Sequence, residues 1–160
     1  MRLGVVSDTH GHVDNTRQAV RMLESLRVDR VVHCGDVGSK EVVELFAPWR
    51  TDFVVGNSDH HPKRLAEIIA EAGQTFHGSF GELHLDGKRI ALLHADDRAK
   101  FLEVTENNQW DLVCYGHTHV AAIGRHGRTL IVNPGAVYRA NPHSLAVVDL
   151  SELEASIITL

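Results

Sequence analysis

The residues of this chain most suited to metal chemistry are histidines that follow apolar segments. The segment YGHTH places His117 and His119 two residues apart, directly after an apolar run that ends at Tyr115. Imidazole nitrogens are common ligands of divalent metal ions. The chain has twelve histidines among 160 residues, so roughly one such pair is expected by chance. The pair alone therefore does not establish a metal site.

Other potential ligands follow apolar runs elsewhere in the chain, at the point where each run ends. Five separate runs end in this way. The candidate ligands are Asp8, His10, Asp36, Asn57, His94, His117 and His119. In open α/β sheets the carboxyl ends of the strands form the crevice where ligands bind. We therefore expect these residues, although remote in sequence, to meet at one edge of a sheet.

The chemistry of this set indicates a catalytic site. It offers oxygen and imidazole nitrogen ligands without a thiolate, which suits Mn²⁺, Fe²⁺ or Zn²⁺ better than a structural cysteine-rich zinc site. Seven ligands are too many for one ion, so we expect two metals about 3.5–4 Å apart with one bridging carboxylate. Gly35, Gly56 and Gly116 each precede a candidate ligand. There they are expected to permit sharp turns and close backbone approach.

The elements that must position these ligands alternate in the first half of the chain. Short runs rich in valine have strand length, and the segments between them have helical spacing. The predicted strands are Arg2–Ser7, Arg30–Cys34 and Thr51–Val55, and the predicted helices are Val13–Leu26, Ser39–Phe46 and Pro62–Glu71. Ser39 suits the N-cap of its helix. This β-α-β-α-β order predicts parallel strands joined by right-handed crossovers.

The second half of the chain is richer in strands. Asp86-Gly87 predicts a hairpin between Glu82–Leu85 and Lys88–Leu93. The remaining predictions are a helix at Arg98–Asn107 and strands at Leu112–Tyr115, Val120–Gly124, Thr129–Val132, Ser144–Leu150 and Ala155–Leu160, with a turn at His126-Gly127. No linker or low-complexity segment divides the chain. We therefore expect one domain, residues 1–160.

Composition narrows the classes of partner. The net charge of −5 argues against an extended nucleic-acid surface, because phosphate backbones attract clustered Lys and Arg. No run of about 18 apolar residues predicts a membrane span, and the N-terminus lacks the pattern of a signal peptide. Cys34 and Cys114 lie in apolar runs and favour free buried thiols. We therefore expect a cytoplasmic protein that does not bind membranes.

The motifs together resemble those of a known superfamily. Their order is D-x-H, G-D, G-N-x-D, H and G-H-x-H, spanning Asp8 to His119. This order resembles the calcineurin-like metallophosphoesterases, and the short chain looks like their small bacterial and archaeal phosphodiesterase branch. The segment Val132–Ala136 is similar to a late turn of that branch. The resemblance implies an α/β fold, a four-layer α/β/β/α sandwich with two central mixed β-sheets.

The same resemblance implies specific metal ligands. The first metal would be held by Asp8, His10 and His119, the second by Asn57, His94 and His117, and Asp36 would bridge them. Mn²⁺ is favoured, with Fe²⁺, Zn²⁺ or Ni²⁺ as alternatives. The expected activity is that of a phosphodiesterase, in which a hydroxide bridging the two metals attacks a small phosphate ester.

The chain departs from the family pattern at two positions. Ser58 stands where many members have a histidine thought to protonate the leaving group, and a hydroxyl is a poor acid. His60 or His61 could supply the proton, with Asp59 orienting one of them, so the expected catalytic residues are Asp36, Asn57, Asp59 and His60. The missing histidine favours aryl esters, because their leaving groups depart without a strong acid. Ala95 is the second departure, because members often have glycine after this histidine.

A second function and a second class of hydrolase share some of these features. A retromer subunit resembles this family yet serves mainly as a protein-interaction scaffold, so a catalytically weak scaffold is the rival function. A metallo-β-lactamase-like hydrolase would need an H-x-H-x-D-H run, which is missing from the sequence.

Four basic residues could contact substrate phosphate or belong to a solvated face: Lys63, Arg64, Arg98 and Arg139. A homo-oligomer that completes the substrate pocket is also open.

Overall fold

The protein contains eleven strands and four helices. A computed structural model describes residues 1–160. The strands are β1 (Arg2–Val6), β2 (Arg30–His33), β3 (Thr51–Phe53), β4 (Thr75–Phe76), β5 (Phe80–Leu85), β6 (Lys88–Leu93), β7 (Leu112–Cys114), β8 (Ala122–His126), β9 (Thr129–Asn133), β10 (Ser144–Asp149) and β11 (Glu154–Thr159). The helices are α1 (Val13–Ser25), α2 (Lys40–Leu45), α3 (Pro62–Glu71) and α4 (Arg98–Glu106).

The strands form two mixed sheets. The first sheet has the order β11-β10-β1-β2-β3-β4, and the second has the order β5-β6-β7-β9-β8. Strands β1, β2 and β3 are neighbours and run parallel, as their alternation with helices predicts. Strand β10 pairs antiparallel with β1. The end of the chain therefore returns to the first sheet after the second has been built.

Apolar residues on alternate faces of the strands hold the layers together. In β6, Ile90 and Leu92 belong to the core between the two sheets. Ala91 belongs to a separate apolar cluster on the outer side, together with Val104 of α4. This is the alternation expected for a strand that is buried on both faces. Helices α1, α2 and α3 pack on the outer face of the first sheet. The predicted four-layer α/β/β/α arrangement is confirmed.

Local signals in the sequence explain where the helices begin. Ser39 caps α2, because its side chain accepts a hydrogen bond from the Val42 amide, as its type and position predict. Asp97 caps α4 in the same way. His12 caps α1 through its imidazole, and Pro62 occupies the first turn of α3, where its missing amide hydrogen costs nothing.

Three strand predictions need correction, and one short strand has no counterpart among the predictions. Strand β3 ends at Phe53 rather than Val55. Strand β8 lies two residues later than the predicted Val120–Gly124, and all of its residues are exposed, so no burial pattern defines its ends. Strand β5 begins at Phe80 rather than Glu82. The two-residue β4 was not predicted at all. It is too short for an alternating pattern, and its pairing with β3 depends on tertiary structure.

Cys34 and Cys114 are buried and free, as the apolar runs around them predict. None of the helices has the length and apolar character needed to cross a membrane.

Candidate metal centre

The seven predicted ligands lie together at the carboxyl ends of strands from both sheets. Those after β1, β2 and β3 come from the first sheet, and those after β6 and β7 come from the second. The first sheet supplies Asp8, His10, Asp36 and Asn57, and the second supplies His94, His117 and His119. The candidate centre therefore spans the junction between the two sheets.

Four of these residues form a first group. One ligand atom from each of Asp8, His10, Asp36 and His119 lies within 4.8 Å of all the others. The Nε2 atom of His119 is 3.0 Å from Asp8 Oδ1 and 3.3 Å from the Nε2 atom of His10. Asp8 is fully buried and Asp36 nearly so.

The other three residues form a second group beside the first. Asn57 Oδ1 is 3.0 Å from His94 Nε2 and 2.9 Å from His117 Nδ1. The Oδ2 atom of Asp36 is 3.5 Å from His94 Nε2 and 3.6 Å from His10 Nε2. The carboxylate of Asp36 thus lies between the two groups, the position that a bridging ligand requires.

Hydrogen bonds on the outer side of two histidines turn their second nitrogens towards the centre. His94 Nδ1 is 2.7 Å from the carbonyl oxygen of Cys34, and His119 Nδ1 is 3.2 Å from that of Arg139. A carbonyl oxygen only accepts, so each Nδ1 carries the hydrogen. Their Nε2 lone pairs then face the site, which is the usual arrangement of metal-binding histidines.

The resulting contacts bring acceptors face to face. With its hydrogen on Nδ1, His119 directs a lone pair at Asp8 Oδ1, a buried atom that has no hydrogen-bond partner. The Nε2 atom of His94 faces acceptor oxygens of Asn57 and Asp36 in the same way. Acceptors at these distances repel unless a cation lies among them. The candidate ligand atoms therefore fit divalent metal ions, because both groups combine oxygen and imidazole nitrogen.

Asp36 is held in its charged form. Its Oδ1 accepts a hydrogen bond of 2.8 Å from the Ser58 amide, and its Oδ2 accepts one of 3.0 Å from the Ser58 hydroxyl. Burial raises the pKa of Asp36, but hydrogen bonds outweigh it and lower the pKa well below its usual value. They come from His94, when its imidazole is protonated on both nitrogens, and from Ser58. Conversely, the burial that lowers the pKa of His94 is outweighed by Asp36, which raises it.

All three glycines next to ligands are required by close packing. A Cβ on Gly35 would lie 2.8 Å from His94 Nδ1 and 2.9 Å from the Gly56 amide nitrogen. A Cβ on Gly56 would overlap the Asp36 carboxylate, and one on Gly116 would overlap Ser7 Oγ and Asp8 Oδ2. Neither Gly56 nor Gly116 has a positive φ. The sequence offered two reasons for these glycines. Close approach applies at all three positions, and a left-handed turn applies in addition at Gly35, whose φ is +96°.

Asp59 and His60 lie beside the two groups. The Asp59 carboxylate accepts hydrogen bonds from the amides of Val37 at 3.1 Å, Gly38 at 3.0 Å and Gly56 at 2.9 Å. It thus ties together the loops that follow β2 and β3. His60 is exposed and lines a cleft with His61 and Ser58. The double contact of Ser58 with Asp36 leaves no signal in the sequence, which indicates only that a histidine is missing at this position.

A late loop of the chain also supports the first group. The Val137 and Tyr138 amides donate to the carbonyl oxygens of Ser7 and Asp8 at 3.1 Å each, next to the contact between His119 and the Arg139 carbonyl. The Tyr138 ring stacks on His12 at 4.3 Å between centroids. The turn segment that begins at Val132 was the only sequence signal for this support.

The basic residues that could contact phosphate occupy different surroundings. Arg64 is 2.9 Å from Glu67, which fits the solvated-face interpretation. Arg139 lies next to the first group through its main chain. Lys63 and Arg98 are exposed in the first turns of α3 and α4.

The four-layer sandwich and the two ligand groups at the junction of its sheets define a metal-dependent phosphoesterase class. A family model described as the calcineurin-like phosphoesterase superfamily domain matches residues 1–153. The chain therefore belongs to this superfamily, as its motifs predict, and it is a phosphoric ester hydrolase by class.

Similar proteins agree with this assignment. The phosphodiesterase MJ0936 of Methanocaldococcus jannaschii is 26% identical, with 100% of this chain and 99% of the relative covered. The probable metallophosphoesterase YsnB of Bacillus subtilis is 28% identical, covering 86% of this chain and 75% of the relative. Among solved structures, an archaeal phosphodiesterase superposes with a TM-score of 0.91 over 100% of both chains at 26% identity.

Proposed function

We propose that the protein is a dinuclear metal-dependent phosphodiesterase that hydrolyses small phosphate esters. The observation that carries this proposal is the position of Asp36, whose Oδ2 atom is 3.6 Å from His10 and 3.5 Å from His94. One carboxylate shared by two ligand groups suits two adjacent ions. The similarity to proteins named phosphodiesterases supports the ester class.

In this proposal each group of ligands holds one ion, and Asp36 contributes to both. Asp8, His10 and His119 would hold the first, and Asn57, His94 and His117 would hold the second. Two bound divalent ions supply charge neutralisation for the phosphoryl oxygens and a nucleophilic hydroxide at neutral pH. Mn²⁺ is the favoured metal, with Fe²⁺, Zn²⁺ or Ni²⁺ as alternatives.

The residues around the ions have their own proposed tasks. Ser58 donates twice to Asp36 and keeps its carboxylate ionised and oriented towards both groups. His60 or His61 delivers a proton to the leaving group, because both are imidazoles in the cleft that begins at Ser58. Where that proton transfer is weak, aryl esters react faster than alkyl esters of similar size, since phenolates leave more readily than alkoxides.

The proposed partners follow from the same features. The net charge of −5 favours a small ester over an extended nucleic acid. We place the enzyme in the cytoplasm, without a membrane partner. A homo-oligomer remains compatible with the exposed strand β8 at the edge of the second sheet.

The decisive experiment is turnover by metal-stripped protein that is resupplied with one ion at a time. With Mn²⁺ restored, we expect hydrolysis of bis(p-nitrophenyl) phosphate. His117→Ala should reduce kcat/KM at least about 100-fold, because losing a metal ligand should cost more than the 10–100-fold typical of residues that support one. His126→Ala is the matched control, since His126 is exposed on β8, and it should behave like the original protein.

The outcome distinguishes an enzyme from a protein-interaction scaffold. Absence of turnover with Mn²⁺, Fe²⁺, Zn²⁺, Ni²⁺ or Mg²⁺ would contradict the proposed function and favour a protein-interaction scaffold on the same fold. Equal activity of the His117 and His126 variants would contradict the assignment of the second group.

A further inference from the structure

His33 is a fully buried histidine that belongs to neither ligand group. It is the last residue of β2, three positions before Asp36. Its ring packs against those of Phe53 and Phe46, at 5.4 and 5.8 Å between centroids. Leucine or phenylalanine would fill this space without burying ring nitrogens, and buried polar atoms are costly unless they are hydrogen-bonded. Packing alone therefore does not explain a histidine at this position.

Both ring nitrogens of His33 have hydrogen-bond partners. The Gly35 amide donates to Nδ1 at 3.3 Å, so this nitrogen carries no hydrogen. The Nε2 atom is 3.0 Å from the Thr9 hydroxyl, which donates its own hydrogen to the Val37 carbonyl at 2.9 Å and therefore accepts from Nε2. Burial, together with the neighbouring His94, lowers the pKa of His33 to about 3, which agrees with a neutral ring.

The partners of His33 come from the loops that follow β1 and β2. Thr9 lies between Asp8 and His10, which are ligands of the first group. The two partners on the other loop stand directly before and after Asp36. The imidazole therefore connects the segment that carries two first-group ligands with the segment that carries the candidate bridging carboxylate.

The connected segments need support because their main chain is strained. The φ angles are 56° at Asp8, 46° at His10 and 55° at Asp36, a region that residues with side chains occupy only when their surroundings enforce it. Main-chain hydrogen bonds already join the two loops. The link from His33 to Thr9 adds a second, buried connection, which opposes rotation of one loop about those main-chain bonds.

We propose that His33 is a positioning residue of the metal centre, whose neutral imidazole fixes the loop of Asp8 and His10 relative to the loop of Asp36. The inference rests on the proposed function, because it takes Asp36 to be the ligand shared by two ions. It adds to that function a residue that lies outside all of the ligand motifs and acts through Thr9.

Two amide side chains separate the contacts of the ring. The amide of glutamine reaches the place of Nε2, whereas the shorter asparagine reaches only that of Nδ1. His33→Gln can therefore still donate to Thr9, and His33→Asn cannot. In titration calorimetry of metal-stripped protein, we expect His33→Asn to bind Mn²⁺ about 10–100-fold more weakly, the usual effect of losing a residue that supports a ligand. His33→Gln should bind Mn²⁺ nearly as tightly as the original protein.

Thr9 provides an independent test from the other end of the link. Thr9→Val keeps the shape of the side chain but lacks the hydroxyl, so it should also weaken Mn²⁺ binding, and Thr9→Ser should retain it. The losses in Thr9→Val and His33→Asn should not add in the double variant, because members of one hydrogen-bond network are coupled. His84→Asn is the matched control, since His84 is exposed on β5, and it should leave Mn²⁺ affinity unchanged.

A purely structural role for His33 predicts a different pattern. His33→Asn and His33→Gln would then lower the unfolding temperature of metal-free protein alike and leave the Mn²⁺ affinity of the folded protein unchanged. That pattern, or fully additive losses with Thr9→Val, would overturn the proposal.

The original protein gives a further test that does not depend on the folding of His33→Asn. Nitrogen NMR of the His33 ring should show a hydrogen on Nε2 and none on Nδ1 at about pH 5, where an ordinary histidine is charged. A hydrogen on Nδ1 would contradict the link, because the Gly35 amide could not then donate to this atom.

Failure of the proposed function is a separate result, because it is read from hydrolysis of bis(p-nitrophenyl) phosphate. A protein whose Mn²⁺ affinity depends on His33 and Thr9 as expected, but which does not hydrolyse esters, would contradict the function and not the role of His33.

Discussion

Most of the candidate metal ligands have a strained main chain. Five of the seven candidate ligands have positive φ angles, namely Asp8, His10, Asp36, His117 and His119. An L-residue in this region costs roughly 1–2 kcal/mol. Main-chain hydrogen bonds hold the conformations, including those from the Asp8 amide to Gly35 and from the His10 amide to Asp36. The strain is the kind that clusters at functional sites, where it fixes ligand directions in advance.

Ala95 has the same conformation without being a ligand, and it gives a test of this strain. Its φ is +76°, so Ala95→Gly should relieve about 1–2 kcal/mol in the folded state. The greater conformational freedom of glycine in the unfolded chain offsets about 0.4–1 kcal/mol of this gain in stability. We expect a net gain of roughly 0.5–1 kcal/mol in the free energy of unfolding, measured by urea denaturation.

The matched control is Ala70→Gly, because Ala70 is exposed in α3. It should lose up to about 1 kcal/mol, the ordinary cost of glycine in a helix. A loss of stability in both variants would show that the conformation at Ala95 is not a source of strain.

At the scale of elements, the loops after β2 and β3 are joined by one carboxylate. Asp59 accepts hydrogen bonds from the amides of Val37, Gly38 and Gly56. These loops carry Asp36, a member of the first ligand group, and Asn57, a member of the second. The relative position of the two groups therefore depends on Asp59, in addition to the role in orienting His60 that its position in the sequence suggests.

Replacing Asp59 distinguishes a role in joining the two loops from a role in orienting His60. Asp59→Ala should reduce the free energy of unfolding by about 1–3 kcal/mol, because partly buried amides lose their acceptor. It should also weaken Mn²⁺ binding. Asp14→Ala is the control, since Asp14 is 87% exposed on α1, and its cost should stay within about 0.5 kcal/mol. Unchanged stability and metal affinity, with an altered pH–rate profile, would instead indicate that Asp59 acts mainly on His60.

The elements show why some features follow from sequence and others do not. Valine-rich runs and the Asp86-Gly87 turn define β1, β2 and the β5–β6 hairpin because burial and turn geometry are local requirements. Strand β8 is exposed along its length, so its ends leave no pattern. The contacts of Asp59 depend on two loops becoming neighbours, which no spacing along the chain reveals.

At the scale of the whole molecule, the convergence of the candidate ligands was predictable, although the path of the chain was only partly so. The convergence follows because carboxyl strand ends meet at one edge and the motif set resembles a known family. The sequence predicts β10 and β11 as a pair, but only the structure shows them beside β1 in the first sheet. That return places Val137 to Arg139 against Asp8 and His119.

Because both sheets contribute ligands, metal binding should stabilise the entire fold. An ion that binds only the folded state at 100 times its Kd adds about 2.7 kcal/mol. For a chain of this size that should raise Tm by about 5–10 °C. We expect metal-stripped protein to show this rise when Mn²⁺ is added, measured by scanning calorimetry.

The stoichiometry then tests the two-group arrangement directly. Titration calorimetry should give two Mn²⁺ ions per chain in the original protein and in His126→Ala. His117→Ala should bind one, because the first group of Asp8, His10, Asp36 and His119 remains intact. Its rise in Tm should be smaller but not absent. A single ion bound by the original protein would mean that Asp36 binds only one metal. A proton on His94 Nε2 would then have to separate this nitrogen from the oxygens of Asn57 and Asp36.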